Sequence, residues 1–432
     1  MNPTNLPTTD ATEISPAQPN QPPLIGLATC FRMGFEGQLL MPLANTLLQR
    51  AHANALDANA LMDLSVLLQL QGLREEGLRT LALALHVQRL YTLPSELPSR
   101  LTLLAIMTPG DLMANAPLPF LFEHSDITLT MLYLMPGEPL PAELPAHDVA
   151  FIAISDASRT RSLLQRLGPA LPTWPRPVLN VPAGILRTSR LVAFDLLKET
   201  PGVVMAPTVQ VTRSQLEQAG AQGGMGLAAL LPEADFPLII RPIDSHAGRG
   251  LEKIEDWAHL AQYLGDQEDD AFYLSLFMDY RSRDGLFRKY RVILLDGVAF
   301  AGHMGVSNHW MIHYLNAGMT DSEAKRAEEA NFMQHFDSAF AQRHRAALSS
   351  IQQCFGLDYL VLDCAETAAG ELLVFELDPG SVVHSMDPPE QFGYKHPAMQ
   401  KVFKAFRALL LKTAASGQEP ARLDLLADQR AG

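Results

Sequence analysis

The spacing of apolar residues changes near residue 100, and that switch limits the possible folds more than any other feature of this 432-residue chain. Upstream, apolar residues recur at three and four, the period of a helix face. Downstream they gather into short unbroken runs, the pattern of buried strands. Leu101–Met107, Ile127–Leu134, Asp148–Ile154 and Pro177–Asn180 are such runs, and the segment from Ser155-Asp-Ala-Ser158 to Leu167 reads as a helix between two of them. Strands alternating with helices and loops predict a small parallel α/β sheet over 100–184. No Gly-x-Gly-x-x-Gly follows the first strand, so a dinucleotide-binding fold fails its own test. From 185 to 412 the pattern is mixed α+β. A helix spans Ser189–Thr200, strands are expected at 237–241, 271–278, 289–296, 298–304, 357–364 and 371–378, a helix covers much of 321–353, and a last helix runs over 397–412. Residues 1–23 and 413–432 read as flexible tails.

The block 24–99 is helical. Leu39, Leu40, Leu43, Leu47 and Ala51 fall on one face, and Leu61, Leu64, Ser65, Leu68, Gly77, Leu81 and Ala84 mark a helix pair broken at Gln71-Gly72. These offsets resemble a tetratricopeptide hairpin, which places small residues where its helices cross. The late proline of that repeat is replaced by Arg89, and a generic helical hairpin fits the same pattern. A lone unit cannot bury its apolar face, so it must stack on a neighbouring helix or dock on the next domain.

The chain is 47% hydrophobic, which excludes wholesale disorder, and its formal charge of -14 disfavours a general affinity for nucleic acid or anionic membrane. A local basic pocket for one phosphate group remains compatible with that charge. Cys30, Cys354 and Cys364 form no Cys-x-x-Cys pair and no disulfide framework, which suits a reducing cytoplasm. The N-terminus lacks the basic start and apolar run of a signal peptide, and no run approaches the ~20 apolar residues of a membrane span.

Three constellations carry chemistry. In Phe236-Pro-Leu-Ile-Ile-Arg241-Pro-Ile-Asp-Ser245-His246-Ala-Gly248-Arg-Gly250, a buried strand delivers one cation to a small-residue loop. Glycines there let backbone N–H groups approach phosphate oxygens; an ordinary hairpin turn with a surface arginine is the competing explanation. In Leu357-Asp-Tyr-Leu-Val-Leu-Asp363-Cys and Glu371-Leu-Leu-Val-Phe-Glu376-Leu-Asp378-Pro-Gly380, two strands joined by a turn carry three acids. Glu376 and Asp378 share a face by the two-residue period. A register setting Asp363 near Leu373 or Val374 would gather all three carboxylates, hard oxygen ligands suited to Mg²⁺ shared with phosphates. The third is Phe287-Arg-Lys-Tyr-Arg291-Val-Ile-Leu-Leu-Asp296-Gly297, in which Arg291 opens a strand and needs an anion, phosphate and protein carboxylate serving equally. His303, His309 and His313 beyond it match no zinc motif.

In order and spacing these elements resemble the ATP-grasp superfamily over about 185–412, with 100–184 like the small α/β domain that precedes the grasp in such enzymes. The resemblance implies an ATP- and Mg-dependent ligase that activates a carboxylate as an acylphosphate for capture by an amine. It implies nucleotide binding by Arg241, by the loop Ser245, His246, Gly248 and Gly250, and by the hinge residues Phe277, Met278 and Asp279. The second cation ahead of the grasp helix would be Arg187 or Arg190. Asp363, Glu376 and Asp378 would hold the metal, and Arg291 would be the catalytic arginine facing the phosphates. Departures from the family are an arginine in place of the usual strand lysine (Arg241) and an aspartate in place of the last asparagine (Asp378). A phosphotransferase on the same fold, or a non-catalytic nucleotide-binding module, are the competing functions. The helical block would dock a peptide or protein partner, or brace the core.

Overall fold

The computed structural model describes residues 21–245 and 248–417. The chain divides into two compact units, one from residues up to Leu186 together with those from Pro379 on, the other Arg187–Asp378.

The first unit opens with helices α1 (Leu27–Phe35), α2 (Leu40–Ala53), α3 (Ala58–Leu70) and α4 (Arg74–Val87). Asp57 caps α3 by accepting from the Ala60 N–H at 3.0 Å, and it also holds Arg50 at the end of α2. The α3–α4 crossing is close because Gly77 has no side chain: a Cβ there would lie 2.9 Å from the Ser65 carbonyl oxygen. Leu61, Leu64 and Leu81 are buried as expected, while Leu68 is half-buried. Helix α1 was not among the expected elements. It is tied to α3 by Asp63, a fully buried carboxylate accepting from the N–H groups of Ile25 and Gly26 at 2.8 and 2.9 Å.

A sheet follows, built from β1 (Leu90–Leu93), β2 (Leu101–Met107), β3 (Ile127–Tyr133), β4 (Val149–Ile152) and β5 (Val178–Leu179), in the order β1-β3-β2-β4-β5. Helix α5 (Arg161–Leu167) joins the last two. The four expected strands pair in parallel, but β1 adds an antiparallel edge, so the sheet is mixed. Four residues ahead of Pro94 carry too little periodicity to announce a strand. The C-terminal helix, His396–Ser416, also belongs to this unit: Phe406 packs on Phe122 and Phe151, and Arg407 pairs with both oxygens of Asp126 at 2.6–2.7 Å.

The second unit holds helix α6 (Arg190–Leu197) and two sheets. Strands β7 (Thr208–Thr212), β8 (Leu238–Pro242), β9 (Glu252–Ile254) and β10 (Ala271–Leu276) form an antiparallel sheet in the order β7-β10-β8-β9. Helices α7 (Arg213–Gln222) and α8 (Trp257–Asp266) pack on it, with Leu216, Leu260, Ile240, Phe272 and Leu274 in their common core. The other sheet contains β6 (Val203–Met205), β11 (Phe287–Leu295), β12 (Val298–Ser307), β13 (Tyr359–Glu366) and β14 (Leu372–Asp378) in the order β12-β11-β13-β14-β6. The Asp296-Gly297 turn closes β11 on β12 as expected. The helix expected over 321–353 is broken into α9 (Glu323–His335), a single turn at Phe340–Arg343, and α10 (Arg345–Phe355). Phe332, Phe336 and Phe340 pack on one another across that break. Among the described residues no helix is long and apolar enough to cross a membrane.

Candidate functional site

Strand register creates the site. Asp363 on β13 lies opposite Arg291 on β11 and opposite Glu376 on β14, while His303 on β12 faces Arg291 from the other side. Side chains directly opposite on neighbouring strands share a face, so His303, Arg291, Asp363 and Glu376 form one row across four strands. The expected register was different, with Asp363 near Leu373 or Val374. The ladder runs Cys364–Val374 and then Asp363–Glu376, leaving Phe375 as an extra residue at a bulge. That bulge carries Glu376 into the row, and bulges re-aim side chains in this way. A second irregularity, between Arg291 and Val292, sits at Gly302, where a Cβ would come within 2.9 Å of Arg291 Cγ.

Asp363 is buried and held by two cations. Arg291 donates from Nε to Oδ1 at 2.8 Å and from Nη2 to Oδ2 at 3.0 Å, and Lys289 Nζ lies 2.7 Å from Oδ2. Burial alone would raise the Asp363 carboxyl, but Arg291 and Lys289 outweigh it and hold the group well below the usual carboxylate range. Glu376 meets Arg190, the first residue of α6, at 3.2 Å; the same arginine donates to the Phe375 carbonyl. Burial pushes Glu376 up, yet the charges of Arg190 and Arg241 leave it below its ordinary value. Asp378, two residues on, points to the same face by strand alternation.

Arg241 stands near the end of β8. Its Nε donates to Ser245 Oγ at 3.0 Å and its Nη2 to the Ser245 carbonyl, while Ser245 Oγ donates to the Pro242 carbonyl at 2.8 Å. The strand cation therefore braces the start of its own loop. Burial, then the charge of Arg190, lowers Arg241 to about 10. Arg190, Arg241 and Glu376 thus sense one another within this unit. His246 lies outside the described residues. Gly248 has a φ of 75°, and a Cβ on it would sit 2.4 Å from Nε2 of His313. The glycine loop thus rests against an imidazole that sequence patterning left aside. Burial and the charge of Lys289 lower the His313 pKa, favouring the neutral ring. Gly250 is pinned by Tyr263, whose hydroxyl donates to its carbonyl at 2.7 Å.

In the hinge segment, Phe277 packs edge-on against Trp310 at 5.9 Å, with Lys253 Nζ 4.4 Å from its ring centre. Met278 is half-buried. Asp279 is exposed and engaged by Arg281 at 3.0 Å, which holds its carboxyl below the ordinary value. Arg187 donates to the Cys354 carbonyl at 2.7 Å, in the last turn of α10, so of the two arginines it is Arg190 that reaches an acid, Glu376. Lys289 was missed as a site residue, although the alternation Lys289-Tyr290-Arg291 already put it on the face of Arg291.

Glu376 and Asp378 supply hard oxygen donors of the kind Mg²⁺ takes. Among the described residues, no group of three or more His, Cys, Asp or Glu side chains is placed to hold a metal ion.

No protein-family model and no curated protein matches the chain. Among solved structures, the chain is similar to the VanG D-Ala:D-Ser ligase from Enterococcus faecalis, with 13% identity and a TM-score of 0.45, covering 72% of this chain and 100% of that one. It is similar to the D-alanine–D-alanine ligase from Bacillus anthracis complexed with ATP, at 12% identity and a TM-score of 0.39 over 73% and 99% of the two chains. A third is the RimK domain protein ATP-grasp from Sphaerobacter thermophilus DSM 20745, at 12% identity and a TM-score of 0.41 over 72% and 99%.

Proposed function

We propose that the protein is an ATP- and Mg-dependent ligase that activates a substrate carboxylate as an acylphosphate, which an amine then captures. The observation that carries this reading is the charge pattern of the second unit. Four cations, Arg190, Arg241, Lys289 and Arg291, act on the carboxylates of Asp363 and Glu376. The cations exceed those two acids in number, and a triphosphate is an anion that such a surplus would recruit. Arg241 and the N–H groups of the glycine loop would cradle the phosphates, with Arg190 as the second cation. Phe277 and Met278 offer an apolar and aromatic surface for a base, and Asp279 a carboxylate for the ribose once it releases Arg281.

In the reaction an oxygen of the substrate carboxylate attacks the γ-phosphorus and ADP departs. The amine then attacks the acyl carbon, and inorganic phosphate leaves. Arg291, oriented by both oxygens of Asp363, would neutralise charge on the transferring phosphoryl group. Bound Mg²⁺, held by Glu376 and Asp378, would supply further neutralisation of the phosphate oxygens. No protein nucleophile is needed, because positioning and electrostatics supply the catalysis. Recognition of a peptide or protein substrate is assigned in this reading to the helical block.

The test is a mass-spectrometric screen of carboxylate–amine pairs, peptides included, incubated with ATP and Mg²⁺. A ligase releases ADP and phosphate only when both substrates are present and yields a product joined with loss of water. A phosphorylated substrate without free phosphate would instead establish the phosphotransferase reading.

A further inference from the structure

Resting on the ligase reading above, we propose that this site holds a single divalent cation, at its Glu376–Asp378 end, and that Lys289 and Arg291 close Asp363 to metal. The argument starts from the lone pairs of Asp363. A carboxylate offers about four acceptor sites. Three of them are taken here: Oδ1 by Arg291 Nε, and Oδ2 by both Arg291 Nη2 and Lys289 Nζ, at 2.7–3.0 Å. Mg²⁺ requires an oxygen at about 2.0–2.1 Å. An ion that close to Oδ2 would lie against an ammonium and a guanidinium already bonded to the same atom, with little water to screen the repulsion, since the Asp363 side chain is only 8% exposed.

Glu376 is placed otherwise. Its side chain is 38% exposed and meets Arg190 at 3.2 Å. Asp378 adds a second oxygen donor to the same face of β14, two residues away. The acid row is thereby split by function. Asp363 anchors Lys289 and Arg291, making it a positioning residue for two cations, and the Glu376–Asp378 end retains the capacity for a metal. Lysine at 289 also follows the strand alternation that places it beside Arg291, so its ammonium is delivered by β11 itself and does not depend on a mobile loop.

The experiment is a Mn²⁺ titration of the full chain, followed by electron paramagnetic resonance, with a saturating β,γ-imido analogue of ATP. The expected result is one bound Mn²⁺ per chain. Asp363→Asn is expected to keep that single ion with its affinity changed by less than about threefold, and Glu376→Gln to weaken it at least tenfold. Two ions in the wild type would overturn the proposal, as would loss of Mn²⁺ in Asp363→Asn or its full retention in Glu376→Gln. Should Asp363→Asn fail to fold in a thermal melt, the wild-type stoichiometry decides alone. Failure to bind the analogue at all would sink the ligase reading and this inference with it, whereas analogue binding with two ions sinks only the inference.

Discussion

Replacing Asp63 by asparagine should change how the N-terminal helices respond to pH. Asp63 is fully buried on α3 and accepts from the two N–H groups that lead into α1. Burial raises its carboxyl from 3.8 to about 6; the bonds from Ile25 and Gly26 and the charge of Arg50 oppose that shift, and Asp57 adds to it. Because the folded value lies above the unfolded one, the native block keeps a proton that the unfolded chain has released. Its contribution to stability is fullest below pH ~4 and is lost as pH rises through about 6. A shift of about two units at ~1.4 kcal/mol each makes the whole swing about 3 kcal/mol. Between pH 5 and 7 the loss is about 1 kcal/mol, close to tenfold in an opening equilibrium. Asparagine keeps the shape and one acceptor but does not titrate. The assay is hydrogen exchange by mass spectrometry on the Leu61–Leu67 amides of the full chain at pH 5 and pH 7, corrected for intrinsic rates. Wild-type protection relative to Asp63→Asn should fall roughly tenfold over that interval. A ratio that stays constant would refute the assigned titration. Asp63→Ala, which orphans the buried Gly26 N–H at about 1–3 kcal/mol and also frees the half-buried Ile25 N–H, should loosen α1 at both pH values.

Two predictions concern the glycine loop. Arg241→Ala should weaken ATP binding at least tenfold, about 1.4 kcal/mol, while Arg241→Lys keeps most of the affinity because the charge survives; calorimetric titration showing wild-type affinity in the alanine variant would reduce the loop to a structural turn. Gly248→Ala should cost about five- to tenfold in ATP affinity, from the strained positive φ and the contact with His313, and less in a His313→Ala background. An equal loss in both backgrounds would show that the imidazole contact plays no part.

Much of this architecture was legible in the chain, and the failures have identifiable causes. The apolar runs at 101–107, 237–241 and 357–364 became strands because unbroken apolar segments bounded by turns have few alternatives. Arg291 meets an anion, Asp363, as a cation on an apolar strand requires, whereas Arg241 donates to Ser245. The pairing of Asp363 with Glu376 was misjudged because the bulge at Phe375 is a property of the ladder and leaves no mark in side-chain alternation. Arg187 and Arg190 were equivalent by sequence, and only the three-dimensional path sends one to the Cys354 carbonyl and the other to Glu376. His313 was invisible because its partner, Gly248, is 65 residues away and the contact depends on a missing side chain. The break in the 321–353 helix reflects an aromatic cluster whose packing overrides helical propensity.

The central claim is that the cations of the second unit hold the phosphates of ATP. Calorimetric titration of the full chain in Mg²⁺ with ATP, ADP and AMP in turn tests it most directly. The account predicts saturable binding at one site per chain, tightest for ATP and weakened stepwise as phosphates are removed. Equal affinity for ATP and AMP, or no heat of binding for ATP at all, would contradict it.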